Sequence, residues 1–138
     1  MKNGFTLIEL IIVLAIVAII GAILIPNFLN TTDRARLRSD IQSVRVLQNA
    51  LDLHNIERTG NERIEEGAGI EAVLNTLSNL GYIERQRTQV QTTGATFHHE
   101  NGRITLNVSN TNETIQDIVS NLSAADYYYI HGSTLRNP

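Results

Sequence analysis

Apolar residues follow two rhythms along the chain. From Phe5 to Ile25, 18 of 21 residues are apolar, and only Thr6, Glu9 and Gly21 interrupt the run. As a helix such a segment rises roughly 32 Å and matches a hydrocarbon core of about 30 Å. Beyond it, Leu37, Ile41, Val44, Leu47, Leu51 and His54 recur at spacings of 4, 3, 3, 4 and 3, one stripe of a helix. Together the two stretches predict a single helix from Phe5 to about Arg58, apolar all round in its first half and amphipathic in its second. Asp33 or Thr32 offers an alternative cap for a separate second helix. Thr59-Gly60-Asn61 ends the pattern. Pro26 lacks the amide that the helical ladder needs and its ring crowds the preceding turn, so a kink or local opening is expected between Ala22 and Pro26.

The rest of the chain reads as a compact cover for the amphipathic stripe. Ile70, Val73, Leu74, Leu77 and Leu80 share a helical face that Gly81 terminates. Tyr82 to Gly94 shows little periodicity and is expected to be a loop with a short strand. Ala95–Glu100 and Arg103–Ser109 flank Asn101-Gly102, a pair that favours the type I′ hairpin turn. Ile104, Leu106 and Val108 then face one way, Arg103, Thr105 and Asn107 the other. Thr111 or Asn112 caps a helix carrying Ile115, Ile118, Val119 and Leu122, and Tyr127 to Ile130 reads as a last strand. The fold class expected is α+β: a long N-terminal helix, its apolar half membrane-spanning, packed through its second half against a small antiparallel sheet with additional short helices.

Composition sharpens this division. Pro26 to Pro138 holds 39 hydrophobic residues in 113, about 35 %, enough for one small domain. A net charge of −3, from 11 basic and 14 acidic residues, argues against a general nucleic-acid binder. The absence of cysteine excludes disulfides, thiolate metal sites and cysteine nucleophiles.

The N-terminal segment does not read as a conventional signal peptide, because Pro26-Asn27-Phe28-Leu29-Asn30 after the apolar run offers no small-x-small cleavage site. It could be an uncleaved anchor for an extracytoplasmic binding or enzymatic module. Against that stands Glu9, since an ionised acid inside an apolar span costs on the order of 2.5 to 3.5 kcal/mol and such residues are usually paired and functional. The polar lead Met1-Lys2-Asn3-Gly4 ends in glycine, and Gly4-Phe5-Thr6-Leu7-Ile8-Glu9 followed by an apolar helix resembles the class III signal of type IV pilins and type II secretion pseudopilins. The likeness is strong from Lys2 to Phe28, includes a proline at Pro26, and continues more weakly through Ser39-Asp40-Ile41 and Gln48 to Leu53.

The resemblance implies a leader of residues 1–4, a membrane and filament-core helix of residues 5–29, and a globular domain of residues 30–138. It implies cleavage between Gly4 and Phe5 by a prepilin peptidase, N-methylation of Phe5, an assembly role for Glu9, and kinking or melting at Gly21 and Pro26. The implied partners are membrane lipid before assembly, the peptidase and methyltransferase, an inner-membrane assembly platform, and other copies or related pilins in a helical filament. Nucleic acid is a partner only for a DNA-uptake pilus. The implied location is the cell membrane as a single-pass precursor, then a pilus or pseudopilus at the cell surface or in the periplasm. Two departures stand out. The leader carries only Lys2, and Arg34, Arg36 and Arg38 follow the span, so a count of basic residues would put the domain inside, where the resemblance puts it outside.

Little else suggests chemistry, and neither an enzyme nor a cofactor is expected. His98 and His99 are neighbours in a strand and point to opposite faces, and His54 closes the helical stripe. His131 stands alone, so no histidine metal site is expected. Glu62, Glu65 and Glu66 share a glycine-bearing connection with Arg63 but lack the fixed spacing of a calcium loop. Major pseudopilins often bind calcium in the C-terminal part of the domain, where this chain offers little besides Asp117 and Asp126, and that site is not carried over. Tyr127-Tyr128-Tyr129 is read as core and sheet surface rather than as a stacking site for a ligand. Asn-x-Ser/Thr patterns such as those at Asn107, Asn112 and Asn121 are common by chance in a chain so rich in these residues.

Overall fold

A computed structural model of the chain describes residues 6–58, 60, 63–84 and 88–131, with the backbone alone at 26–28 and 131. The element order is α1 (Leu7–Glu57), α2 (Ile70–Asn79), β1 (Thr96–Glu100), β2 (Arg103–Asn107), α3 (Glu113–Ser120), α4 (Ala124–Tyr127) and β3 (Ile130–His131). The fold is α+β, and the chain divides into two compact units, Met1–Asp33 and Arg34–Pro138.

The first unit contains only the N-terminal part of α1 among its described residues. Its backbone is helical without interruption from Leu7 to Asp33, so the local opening expected between Ala22 and Pro26 is not present in the single chain. The single long helix expected to run to about Arg58 is one element ending at Glu57, and the alternative of a separate second helix capped at Thr32 or Asp33 does not occur.

In the second unit the stripe read from the sequence is the centre of the core. Leu37, Ile41, Val44, Leu47, Leu51 and His54 are each 2 % exposed or less. The five aliphatic residues of the stripe, Leu37 to Leu51, pack in one cluster with Val73 and Leu77 of α2, Ile104 and Leu106 of β2, Val108, and Ile115 and Val119 of α3. Each such aliphatic side chain contributes about 1.5–3 kcal/mol on leaving water, so the stripe fixes which face of α1 the domain wraps. At the far end of the stripe the Tyr82 hydroxyl donates to the Glu57 carboxylate, which holds the phenol above its ordinary pKa.

Helix α2 ends in a Schellman motif: Tyr82 N–H donates to the Leu77 carbonyl at 2.9 Å and Gly81 N–H to that of Ser78 at 3.1 Å. Leu80, expected on the buried face, falls in this cap and is exposed. The hairpin has the expected turn, with Asn101 and Gly102 at φ +53° and +72° and Glu100 opposite Arg103. Ile104, Leu106 and Val108 are fully buried. Thr105, expected on the open face, is buried too, because β2 is the central strand of the order β1-β2-β3 and has a neighbour on each side. Asn112 caps α3, its side-chain oxygen accepting Ile115 N–H at 2.9 Å.

Two segments depart from the expected strands, each because side chains take the backbone hydrogen bonds. No strand forms between Tyr82 and Gly94 among the described residues; Gln91 and Thr92 donate their amides to the carboxylate of Asp40 at 2.9 and 2.7 Å. Tyr127 does not open a strand. Ser123 caps a helical turn by accepting Asp126 N–H at 3.2 Å and donating to its carboxylate at 3.0 Å, and this local cap overrides the aromatic preference for strand. The chain is extended only from Ile130, and β3 runs parallel to β2, so the sheet is an antiparallel hairpin with one short parallel strand added.

Asp40 is itself fully buried. Replacing it by alanine leaves the amides of Gln91 and Thr92 without their acceptor, at about 1–3 kcal/mol for each buried group. Asp40→Ala is therefore expected to destabilise the domain by roughly 2–4 kcal/mol, or about 10–25 °C in Tm at this domain size, measured by thermal unfolding of the full chain in detergent. An unchanged Tm would show that Asp40 does not hold this segment.

Candidate functional site

The residues singled out by the sequence lie along the start of α1. Gly4 and Phe5 fall outside the described residues. The described helix begins at Leu7, and Thr6 before it acts as its N-cap. Thr6 N–H and Oγ–H both donate to Glu9 Oε2, at 2.8 and 2.7 Å, and Glu9 N–H points back to Thr6 Oγ1 at 3.4 Å. This is the reciprocal capping box, in which each side chain satisfies an amide that the first helical turn cannot. The sequence reading missed Thr6, although Thr-x-x-Glu ahead of an apolar run is the signature of that box.

From Leu7 to Ile25 the large apolar side chains are 50–76 % exposed, all round the helix. The most apolar 18 residues have a mean hydropathy of 3.2, and none of that window is buried. A helix apolar on every face belongs in hydrocarbon or among other helices. Fourteen large side chains are involved, and at 1.5–3 kcal/mol for full burial their exposure to water is worth on the order of 20 kcal/mol or more. Gly21 lies within this stretch, whose backbone stays helical through residue 26.

The polar candidates of the domain are each engaged separately. His99 is buried, with Nδ1 at 2.7 Å from the Ala68 carbonyl, whereas His98 on the opposite face lies 3.6 Å from the Glu100 carboxylate. His54 is packed edge-on to Tyr82 at 5.4 Å between ring centres. His131 is described by its backbone only, and Glu62 lies outside the described residues. Glu65, Glu66 and Asp117 are exposed. Asp126 pairs with Arg45, whose guanidinium also lies 5.0 Å from the centre of the Tyr129 ring. Arg103 stacks on Tyr128 at 3.3 Å and donates to the Tyr128 carbonyl, while Tyr127 and Tyr129 are half-buried against the core. The tyrosines and arginines therefore fasten the C-terminal segment to the domain.

Comparison with known proteins agrees with this picture. Residues 1–25 match the prokaryotic N-terminal methylation motif. The chain is 24 % identical over 91 residues to the type II secretion system core protein G of Escherichia coli, covering 61 % of this chain and 63 % of the relative. With the core protein G of Aeromonas hydrophila it shares 27 % over 93 residues, covering 61 % and 64 %. The prepilin peptidase-dependent protein A of Clostridium perfringens is 42 % identical over 52 residues, 38 % of this chain and 37 % of the relative. The chain thus spans less than two thirds of the length of these curated relatives. No solved structure matches it.

Proposed function

We propose, from the premise that the chain belongs to the type IV pilin and pseudopilin family, that it is a structural subunit of a pilus-like filament. It is made as a membrane-anchored precursor, cleaved between Gly4 and Phe5, methylated on Phe5, and assembled through its N-terminal helix. The observation that carries this reading is the helix Leu7–Ile25, apolar and exposed on every side. In the bilayer lipid surrounds it; in a filament the equivalent helices of other copies do, so extraction exchanges one apolar environment for another and the domain stays in water. One patch repeatedly meeting a different patch on the next copy gives an open helix. The peptidase and methyltransferase act on the precursor, and the inner-membrane platform moves it into the filament. The likeness to core proteins G favours a pseudopilus of type II secretion over an adhesive, motility or DNA-uptake pilus.

Gly21 and Pro26 give the assembled helix a weak stretch. Relative to alanine they cost about 1 and 3 kcal/mol in a helix interior, a penalty that the single chain carries. Packing or tension in the filament can relieve it by extending residues 21–26. A filament map tests both statements: residues 7–20 are expected in the filament core as helix, with the regular ladder lost between Gly21 and Pro26. Unbroken helical density from Ala15 to Leu29 contradicts the melting, and a filament whose core lacks the N-terminal helices contradicts the assembly.

A further inference from the structure

Three of the eleven basic residues of the chain, Arg34, Arg36 and Arg38, open the domain unit, and all three are exposed. Arg34 and Arg38 stand one turn apart in α1, within about 40° of each other round the helix. Neither guanidinium has an ion-pair or hydrogen-bond partner among the described residues, whereas Arg36, on the other side of the helix, is engaged within the chain. Asp40, the next acid along the helix, is buried and commits its carboxylate to the amides of Gln91 and Thr92. Two like charges at i and i+4 repel each other and weaken a helix in water. An anion from outside the chain removes that repulsion. The rest of the domain is acidic, with seven arginines against twelve acids from Ser39 to Pro138, a formal −5. Basic charge is thus concentrated in the first turn of the unit.

We propose that Arg34 and Arg38 bind the phosphate groups of anionic phospholipid in the leaflet next to the domain. The proposal rests on the membrane-anchored precursor of the reading above and adds a lipid contact to it. Arg34 comes five residues after Leu29 and Arg38 nine, intervals over which a helix rises about 8 and 14 Å. The headgroup layer is about 5–8 Å deep and the Debye length at physiological salt about 8 Å, so lipid phosphates lie within reach of Arg34 and within the unscreened range of Arg38. A guanidinium meets a phosphate with two parallel hydrogen bonds, and its long stem lets the charge bend back toward the headgroups. The acidic remainder of the domain is repelled by the same surface, which confines the attraction to this one turn. By their sign the two arginines also oppose the outward topology of the domain, and a phosphate contact gives their charges a role on that side. An acid of another copy is the competing ligand, but every subunit meets the bilayer before it meets a second copy.

The chain contains no tryptophan, so Leu29→Trp adds a single emitter at the end of the span. The full chain carrying it is placed in vesicles of phosphatidylcholine and phosphatidylglycerol, with one lipid or the other brominated so that it quenches tryptophan on contact. At about 0.15 M salt phosphatidylglycerol is expected to be favoured at the reporter at least about threefold. The preference is expected to vanish in 1 M salt, where the Debye length is about 3 Å, and in Arg34→Gln with Arg38→Gln, whose insertion and melting temperature in detergent stay unchanged. Equal quenching by the two lipids around an inserted chain overturns the proposal, and so does a preference that survives the double substitution. Survival of the preference together with loss of filaments would assign the pair to acids of another copy. Loss of the preference when inorganic phosphate replaces chloride at equal ionic strength would assign it to free phosphate and likewise overturn the lipid contact. A chain that does not enter the vesicles overturns the membrane reading itself, a result distinct from an inserted chain without lipid preference.

Discussion

A Gly4→Val precursor is expected to accumulate uncleaved in the membrane, with maturation slowed at least roughly a hundredfold. The peptidase must bring the backbone between Gly4 and Phe5 into its site. A branched side chain blocks that approach and restricts the φ/ψ values glycine can supply, and a misplacement of about 1 Å costs on the order of a hundredfold in rate. The rest of the precursor is unaffected, because the apolar run that inserts it begins beyond the substitution. Cleavage removes Lys2, which leaves ten basic against fourteen acidic residues, a formal −4 before the new amine is counted. Retention of Lys2 is thus visible as a charge difference as well as a mass difference between precursor and product. Maturation of the variant at the normal rate would remove the main support for the cleavage site.

Glu9→Val is expected to insert and be cleaved normally but to give at most about a tenth of the normal filament yield. An ionised Glu9 at the edge of hydrocarbon is costly unless paired, and the amine freed on Phe5 is a cation four residues away on the same helix face. Within a subunit the two can neutralise each other. In a staggered filament the amine of an incoming subunit reaches Glu9 of one already in place, and the pair then also fixes register. The capping box supplies a competing account, since Glu9 also accepts two hydrogen bonds from Thr6, and loss of a cap costs about 0.5–2 kcal/mol. Two further variants separate them. Glu9→Gln keeps an acceptor for the cap and removes the charge, whereas Thr6→Val removes the hydroxyl and keeps the charge. Pairing requires Glu9→Gln to fail and Thr6→Val to assemble. Assembly of Glu9→Gln with failure of Thr6→Val would assign Glu9 to the cap alone. Mixed with the unmodified chain, Glu9→Val should enter filaments at reduced frequency, because its amine can pair while its valine offers nothing to the next subunit.

The parts of the fold that the sequence made legible are those dictated by local chemistry or by one dominant period. Six positions from Leu37 to His54 are buried as their spacing required, and Asn101-Gly102 turns the hairpin with both residues at positive φ. Gly81 and Asn112 cap where helix chemistry places them. What was not legible depends on distant side chains or on competition between local rules. Nothing near Gln91 shows that its amide goes to Asp40, 51 residues earlier, so the sequence predicts within this loop a short strand that does not form. Tyr127-Tyr128-Tyr129 has strong strand preference, yet Ser123 and Asp126 form a cap that holds the first of them in a helical turn. Thr105 was assigned to the open face because the pattern of one strand does not report the neighbours on its two edges.

At the N-terminus the balance is reversed. The run Gly4 to Glu9 was read from residue types alone, and the methylation motif over residues 1–25 agrees with it. The apolar span was legible because its composition leaves few alternatives, and the exposed helix of the single chain has the surface that reading requires. Thr6 was overlooked because the glycine, phenylalanine and glutamate around it drew the whole motif into processing and assembly.

The central claim, that this is a processed filament subunit and not a permanently anchored module, is tested most directly by mass spectrometry of the N-terminus of the mature chain. Processing gives a chain that begins at Phe5 with a methyl group on its amine and lacks the mass of residues 1–4. A chain from the same membranes that still begins at Met1, with Gly4 and Phe5 joined, would contradict the account.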